Sequence, residues 1–271
     1  MKRVKRLLGL AFLLAAILSC LMIHASAETT VASGYCGDYA RWEVVKNGSE
    51  QILRIEGSGS MKDYKKEFIN YAYVSSAPWR SYSFTRVEME DTVTSIGDYA
   101  FWSNNEIVDI DFSNGLRSIG SHAFEGCDNI TSIKFPTGLI TIEDYAFYWC
   151  KGLTSLKFLA NTKTIGEYAF YYCTKLESII IPASVTSIAQ NAFESCSKLT
   201  DITVDSRNPS YAALDGVLFD KNMTNLIFYS RGNTRTAYTI PSGVETIGAS
   251  AHPEWPCQRK TRSQPRSCRQ S

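Results

Sequence analysis

Apolar residues in this chain recur on a fixed long period with a short alternation inside it. Ala100, Ala123, Ala146, Ala169 and Ala192 stand 23 residues apart, and each is followed by phenylalanine at Phe101, Phe124, Phe147, Phe170 and Phe193. Isoleucine precedes each pair by four positions, from Ile96 through Ile119, Ile142 and Ile165 to Ile188. Four units close on Cys127, Cys150, Cys173 and Cys196, and the first has Asn104 at that register. Between these segments runs an apolar–polar alternation at the same offset: Phe84-Thr-Arg-Val87-Glu-Met89, then Ile107-Val-Asp-Ile110-Asp-Phe112, and so on to Leu199-Thr-Asp-Ile202-Thr-Val204. Side chains alternate faces along a strand, so Ile133 and Phe135 point inward and Ser132 and Lys134 outward. A repeat of about 20–30 residues cannot bury its apolar face alone and must stack on its neighbours, which predicts a solenoid.

The pattern predicts an α+β repeat solenoid over residues 84–204, a leucine-rich repeat array of 23-residue coils. Short strands line one face and short helical turns the other. Pro136 and Pro182 close two strands, because proline cannot extend a ladder. The A-F segments are expected to make one helical turn each, with Asp98, Asp144 or Glu167 near its start, where a helix dipole favours acids. Residues 28–83 are expected to form a β-rich cap. Residues 42–45 and 52–55 give a hairpin around Lys46-Asn-Gly-Ser49, followed by an aromatic-rich stretch with Tyr64, Phe68, Tyr71, Tyr73, Trp79 and Tyr82. The period breaks at Asp205. Residues 205–238 are read as an insertion with a hairpin, 217–219 against 226–229, and 239–251 as a last partial repeat. Residues 252–271 lose the register in mid-motif and turn polar and basic. They are expected to be disordered, through a reading-frame change or an artificial end, with a native basic tail as the alternative.

These units resemble the BspA-type leucine-rich repeat proteins of bacterial surfaces. The resemblance rests on the I-G-x-x-A-F-x-x-C pattern, as in Ile165-Gly-Glu-Tyr-Ala-Phe170-Tyr-Tyr-Cys173, and on its V-T-S-I lead-in at residues 93–96 and 185–188. Asn208-Pro-Ser-Tyr with Asp215-Gly-Val-Leu-Phe219, and the Cys36-Gly37 and Ala77-Pro-Trp79 cap residues, resemble further features of that family. It implies a secreted or surface-displayed protein with a role in adhesion or protein binding.

Charge and composition narrow the function. The chain holds 28 Lys/Arg and 27 Asp/Glu. Setting aside the four cations of residues 1–27 and the five cations and one acid of residues 252–271 leaves residues 28–251 at −7. An acidic body argues against nucleic-acid binding. Lys2, Arg3, Lys5 and Arg6, the apolar run 7–23 and Ala25-Ser-Ala27 read as a secretory signal peptide cleaved after Ala27, with a lipoprotein signal at Ser19-Cys20 as the alternative. No second apolar stretch reaches spanning length, so no membrane span is expected. The column of cysteines suggests small buried hydrophobes more than disulfides. With no C-x-x-C, no H-E-x-x-H and no G-x-S-x-G, no metal, cofactor or enzymatic activity is expected.

Two surfaces are candidates for binding. The outward strand face carries Arg86, Asp109, Ser132, Ser155, Ser178 and Asp201 in one column and Glu88, Asp111, Lys134, Lys157, Ile180 and Thr203 in the next. Arg86, Asp109, Asp111, Lys134, Lys157 and Ile180 are its expected ligand-binding residues, for an extracellular protein, including a host protein. The alternative is a carbohydrate- or cell-wall-binding patch made of Tyr145, Tyr148, Trp149, Tyr168, Tyr171 and Tyr172 on two adjacent A-F turns. His122 shares the column of Tyr99, Tyr145 and Tyr168 and reads as a surface substitution.

Overall fold

The computed structural model describes residues 28–189, 191–229, 237–248, 251 and 267–269. The expected signal peptide and most of the basic tail lie outside the described residues. Strands β1 (Thr29–Tyr35), β2 (Tyr39–Asn47) and β3 (Glu50–Ser60) pair antiparallel in that order. The β2–β3 loop is Gly48 and Ser49, with Gly48 at φ 63°, as a type II′ hairpin turn requires. Alternation along β2 buries Ala40, Trp42 and Val44 and leaves Tyr39 and Arg41 outside. A small hairpin of β4 (Lys66–Ile69) and β5 (Ala72–Ser75) follows.

The coils continue the cap. Ile52–Ile55 of β3 pair in parallel with β6 (Arg86–Met89), and Gly59 and Ser60 with β7 (Val93–Ile96). Along the array come β8 (Asp109–Asp111), β9 (Ser118–Ile119), β10 (Thr141–Ile142), β11 (Ser155–Lys157), β12 (Thr164–Ile165), β13 (Ser178–Ile181), β14 (Ser187–Ile188) and β15 (Asp201–Val204). One parallel ladder runs through β7, β9, β10, β12 and β14, stacking Ser95, Ser118, Thr141, Thr164 and Ser187. The sequence shows only short apolar pairs there, such as Leu139 and Ile142, so the array has two strand faces where one was expected. The ladder on the expected strand face is in two pieces, β3–β6–β8 and β11–β13–β15.

The expected helical turns do not form; no helix occurs among the described residues, and the fold is a β-solenoid. The reason is where the A-F backbone sends its N–H groups. Ala146, Tyr148 and Cys150 donate three residues back, to Glu143, Tyr145 and Phe147, at 3.4, 3.0 and 3.3 Å. The intervening Tyr145, Phe147 and Trp149 donate instead to Glu167, Ala169 and Tyr171 of the next coil, each at 2.8 Å. An α-helix would spend every N–H on its own carbonyls. Here every second one joins coil to coil. Two positions per coil turn left-handed to allow this: Tyr99, His122, Tyr145 and Tyr168 in one column, and Ser103, Gly126, Trp149, Tyr172 and Ser195 in the other, with φ from 53° to 74°. Asp98 and Asp144 also serve this stitching and not a helix dipole. Asp98 Oδ1 accepts the Ser121 N–H at 2.7 Å, and Asp144 Oδ1 accepts that of Glu167 at 2.6 Å.

The core is a column of rings. Phe101, Phe124, Phe147, Phe170 and Phe193 stack nearly parallel at 4.9, 5.2, 5.3 and 5.6 Å, about one coil spacing apart. Phe112, Phe135 and Phe158 pack edge-on against them. The column cysteines are buried thiols. Their Sγ atoms donate to the Phe101, Phe124, Phe147 and Phe170 carbonyls one coil back, at 3.2, 3.1, 3.4 and 3.1 Å. Each of these phenylalanine carbonyls also accepts the N–H of the residue three positions on, so the thiol uses its second lone pair. At the head of the column Trp79 stacks on Phe101 at 5.7 Å, and its indole N–H donates to the Ala100 carbonyl. In later coils a phenylalanine backbone N–H makes that bond. Trp79 is thus the cap's substitute for a preceding coil.

The break in period has a local cause. The Asn208 side chain is fully buried, donates to the Pro182 and Val185 carbonyls, and accepts the Ser210 and Tyr211 N–H groups. The chain then forms β16 (Tyr211–Leu214), β17 (Val217–Asp220) and β18 (Asn225–Phe228), an antiparallel meander. The β17–β18 hairpin was expected; the β16–β17 hairpin, through Asp215 and Gly216 at φ 55° and 76°, was not. Beyond lie β19 (Ala237–Thr239) and β20 (Thr246–Ile247), the latter parallel to β18. Of the tail expected to be disordered, β21 (Ser267–Arg269) is instead paired antiparallel with β19, and the rest lies outside the described residues.

Candidate functional site

The strand-face columns stand in the register expected from the period, as two separate patches. In the first, β6 and β8 pair Arg86 with Asp109 and Glu88 with Asp111. Arg86 contacts Glu88 at 3.2 Å and Asp109 at 3.7 Å, while Glu88 also receives Arg54 Nε at 3.0 Å. Arg54 in turn holds Glu28 at 2.6 Å. These charges are largely spent on one another. In the second patch Ser132 bridges Ser155, and β11 and β13 pair Lys157 with Ile180. Lys134, Lys157 and Ile180 therefore form one outward column. All three are exposed, Ile180 by 44%, and no ion pair reaches either lysine among the described residues.

Between the patches the ladder is missing. The Phe112 and Phe135 centroids lie 6.3 Å apart, against 5.7 Å for Phe135 and Phe158, so the coils splay there. The opening is a cleft of about 360 Å³ lined by Arg86, Asp109, Asp111, Asn114 and Lys134, with Phe112, Phe135 and Pro136 behind them. The structure thus brings four of the six expected strand-face residues, Arg86, Asp109, Asp111 and Lys134, around one opening, and Lys157 and Ile180 continue the column from Lys134 without lining the cleft.

On the turn face the six aromatic residues are contiguous. Tyr145 stacks on Tyr168 at 5.1 Å, Tyr148 on Tyr171 at 5.0 Å, and Trp149 meets Tyr172 at 5.8 Å. Trp149 and Tyr172 are 45% and 41% exposed, and the other four are half-buried. Burial pushes the Tyr145 and Tyr148 phenols up, so they stay protonated donors. His122 lies between Tyr99 and Tyr145, 4.6 Å from each ring, and pairs with Glu125 through Nδ1. It is a member of the stack, more than a surface substitution.

Sequence reasoning missed a second cleft, of about 260 Å³, where the cap meets the first coil. It is lined by Trp79, Arg80, Tyr82, Trp102, Asn104 and Glu106 among others. The one signal for it in the sequence is Asn104, which stands where later coils have cysteine.

The 23-residue β-coils with a stacked Phe column define a leucine-rich repeat solenoid. The BspA-type leucine-rich repeat region matches in six copies over residues 73–200 and 122–232, and the chain belongs to that family. Among solved structures, a leucine-rich repeat protein from Eubacterium ventriosum is similar at 28% identity and a TM-score of 0.69, covering 83% of this chain and 56% of that one. The pneumococcal vaccine antigen PcpA shares the fold at 20% identity and a TM-score of 0.58, over 80% of this chain and 60% of its own. The chain thus spans less than two thirds of either. No curated protein matches it.

Proposed function

We propose that this chain is the binding module of a secreted or surface-displayed bacterial protein, without enzymatic activity, that holds a protein partner on its strand face. The observation that carries the reading is the column of Lys134, Lys157 and Ile180: two exposed lysines with no ion pair among the described residues, beside an exposed aliphatic. A purely solvated face would favour a polar residue at Ile180. Charge of one sign next to an apolar anchor suits an acidic segment of an extracellular protein, including a host protein met in adhesion. Solenoids commonly bind extended partners along such a face, and the energy of such contacts concentrates in a few central residues. Pull-down of host extracellular proteins by the mature chain, repeated with Lys134→Glu plus Lys157→Glu and with Ile180→Ser, tests it. Capture unchanged in the triple variant excludes this face.

A second reading is carried by a separate observation, the contiguous platform of Tyr145, Tyr148, Trp149, Tyr168, Tyr171 and Tyr172 with Trp149 and Tyr172 open to solvent. Exposed ring faces favour the apolar faces of sugars. Cell-wall glycan retained by the mature chain and released by Trp149→Ala supports this reading over the first.

A further inference from the structure

The second, third and fourth coils of the turn face each present three carbonyls to the coil before, and the preceding coil supplies an N–H for each. The Ser121, Ala123 and Glu125 carbonyls accept from Tyr99, Phe101 and Ser103, and the Asp144, Ala146 and Tyr148 carbonyls from His122, Phe124 and Gly126. The first coil has only the cap ahead of it. Its Asp98 carbonyl accepts the Tyr64 N–H at 2.9 Å, and its Ala100 carbonyl accepts the Trp79 indole at 2.9 Å. The third, at Trp102, is reached by no donor among the described residues. The indole Nε1 of the same residue is buried and also without a partner. Trp102 lines the cleft between cap and first coil. One orphan acceptor and one orphan donor therefore belong to a single residue of the cleft's lining.

The rest of the wall is chemically mixed. Tyr82 and Trp102, both half-buried, offer ring surface, and the Lys66 ammonium lies 4.8 Å from the Trp102 ring centre. Arg80 is exposed and makes no ion pair among the described residues, and Glu106, also exposed, accepts the Ser83 hydroxyl. Asn104 accepts the Glu106 N–H at 3.1 Å through Oδ1, and its amide nitrogen donates to none of the described residues. One cation and one carboxylate on the same rim favour a neutral ligand over an anion or a cation. Such a ligand must donate to the Trp102 carbonyl and to Glu106, accept from Arg80 and the Asn104 amide, and lay an apolar face on aromatic rings. Hydroxyl groups on a ring with an apolar face meet all of these requirements.

We propose that this cleft binds one unit of a neutral saccharide, with a hydroxyl taking the place of the missing third N–H at Trp102. The site is distinct from the strand face and from the Trp149–Tyr172 platform, and it rests on neither reading. The test uses the mature chain and a panel of neutral oligosaccharides of glucose, galactose, mannose and N-acetylhexosamine, followed by tryptophan fluorescence and calorimetry. Saturable binding of a member of the panel is expected. Arg80→Ala and Asn104→Cys, the latter restoring the residue of later coils, should each weaken it about tenfold, the loss of one good hydrogen bond, with an unchanged melting temperature. The proposal is overturned if no member of the panel binds, if both variants bind like the parent, or if Trp149→Ala abolishes binding while they do not. Capture of a peptide library in the same cleft, competing with no sugar, overturns it as well.

Discussion

On the turn face each of the first three coils sends three backbone N–H groups to the next, whereas on the strand face the ladder stops between Asp111 and Lys134. Both faces are built from the same 23-residue unit. The turn face adds a phenylalanine column, thiols bonded to phenylalanine carbonyls and a ring stack above them. The strand face adds changing charges, some paired and some not. The difference separates two tasks: the turn side fixes the coil spacing, and the strand side, already held by it, is free to vary. Such a division predicts that stability should respond steeply to changes beneath the turn face and weakly to changes on the strand face.

The steepest response should come with alkali. Burial pushes the Cys36 thiol up to about 12 and drives Cys127, Cys150 and Cys173 well above the ordinary range. In the unfolded chain they titrate near 8.5. Above that pH the folded protein keeps protons that the unfolded chain releases, so stability is full below about pH 8.5 and falls as pH rises toward the folded values. Each thiol contributes about 1.4 kcal/mol per pH unit. Urea midpoints at pH 7 and pH 10 measure the fall, and Cys150→Ala should remove one thiol's share of it. An identical pH slope in that variant would mean that Cys150 is not held as a buried thiol.

Next in size is the ring column. Phe147 is fully buried between two parallel neighbours, so Phe147→Ala should cost about 3–5 kcal/mol as a large-to-small core change. Ile180→Ser, on the exposed strand face, should stay within about 0.5 kcal/mol. Equal denaturation midpoints for the two variants would erase the distinction between the faces.

The period made the register legible: the Phe column is the core, and Lys157 does stand beside Ile180. What the period could not carry is the backbone path. A-F segments looked helical because short apolar clusters with an acid ahead suit a helix start, and nothing about tyrosine at positions 145 and 168 announces a left-handed residue, a conformation that usually favours glycine or asparagine. The second ladder escaped notice because strands of two residues, such as Thr141–Ile142, are too short to show alternation. The break between Asp111 and Lys134 has no marker in the apolar–polar alternation, since Ile110 and Ile133 both point inward on either side of it. Of the expected surfaces, the columns could be read off but not their pairing: nothing at Arg86 foretold that Glu88 and Asp109 would engage it.

A smaller effect concerns the strand face and its proposed partner. Lys134→Glu plus Lys157→Glu should slow association and reduce its salt dependence, because exposed charges act mainly by steering. Ile180→Ser should act mainly on dissociation. Surface plasmon resonance at two ionic strengths separates the two, and equal changes in both rates for all variants would remove the lysines from the encounter.

The smallest expected effect tests whether the turn face stores backbone strain. Ser195 has φ 62° at the position where the equivalent residue two coils earlier is Trp149 and three coils earlier is Gly126. Its predecessors use their N–H to reach the next coil, but the period breaks just beyond Ser195, and its N–H reaches no carbonyl among the described residues. A left-handed conformation costs a residue with a Cβ about 1–2 kcal/mol, and glycine avoids that cost while losing about 0.5–1 kcal/mol more entropy on folding. Ser195→Gly should therefore stabilise the protein by up to about 1 kcal/mol. Trp149→Gly, at the same register, should instead destabilise it, because the ring contacts with Tyr148 and Tyr172 are lost with the strain. Melting curves of the two variants decide the matter: opposite signs mean that the rings hold the backbone in its left-handed turn, and equal losses mean that the left-handed residues carry no strain to relieve.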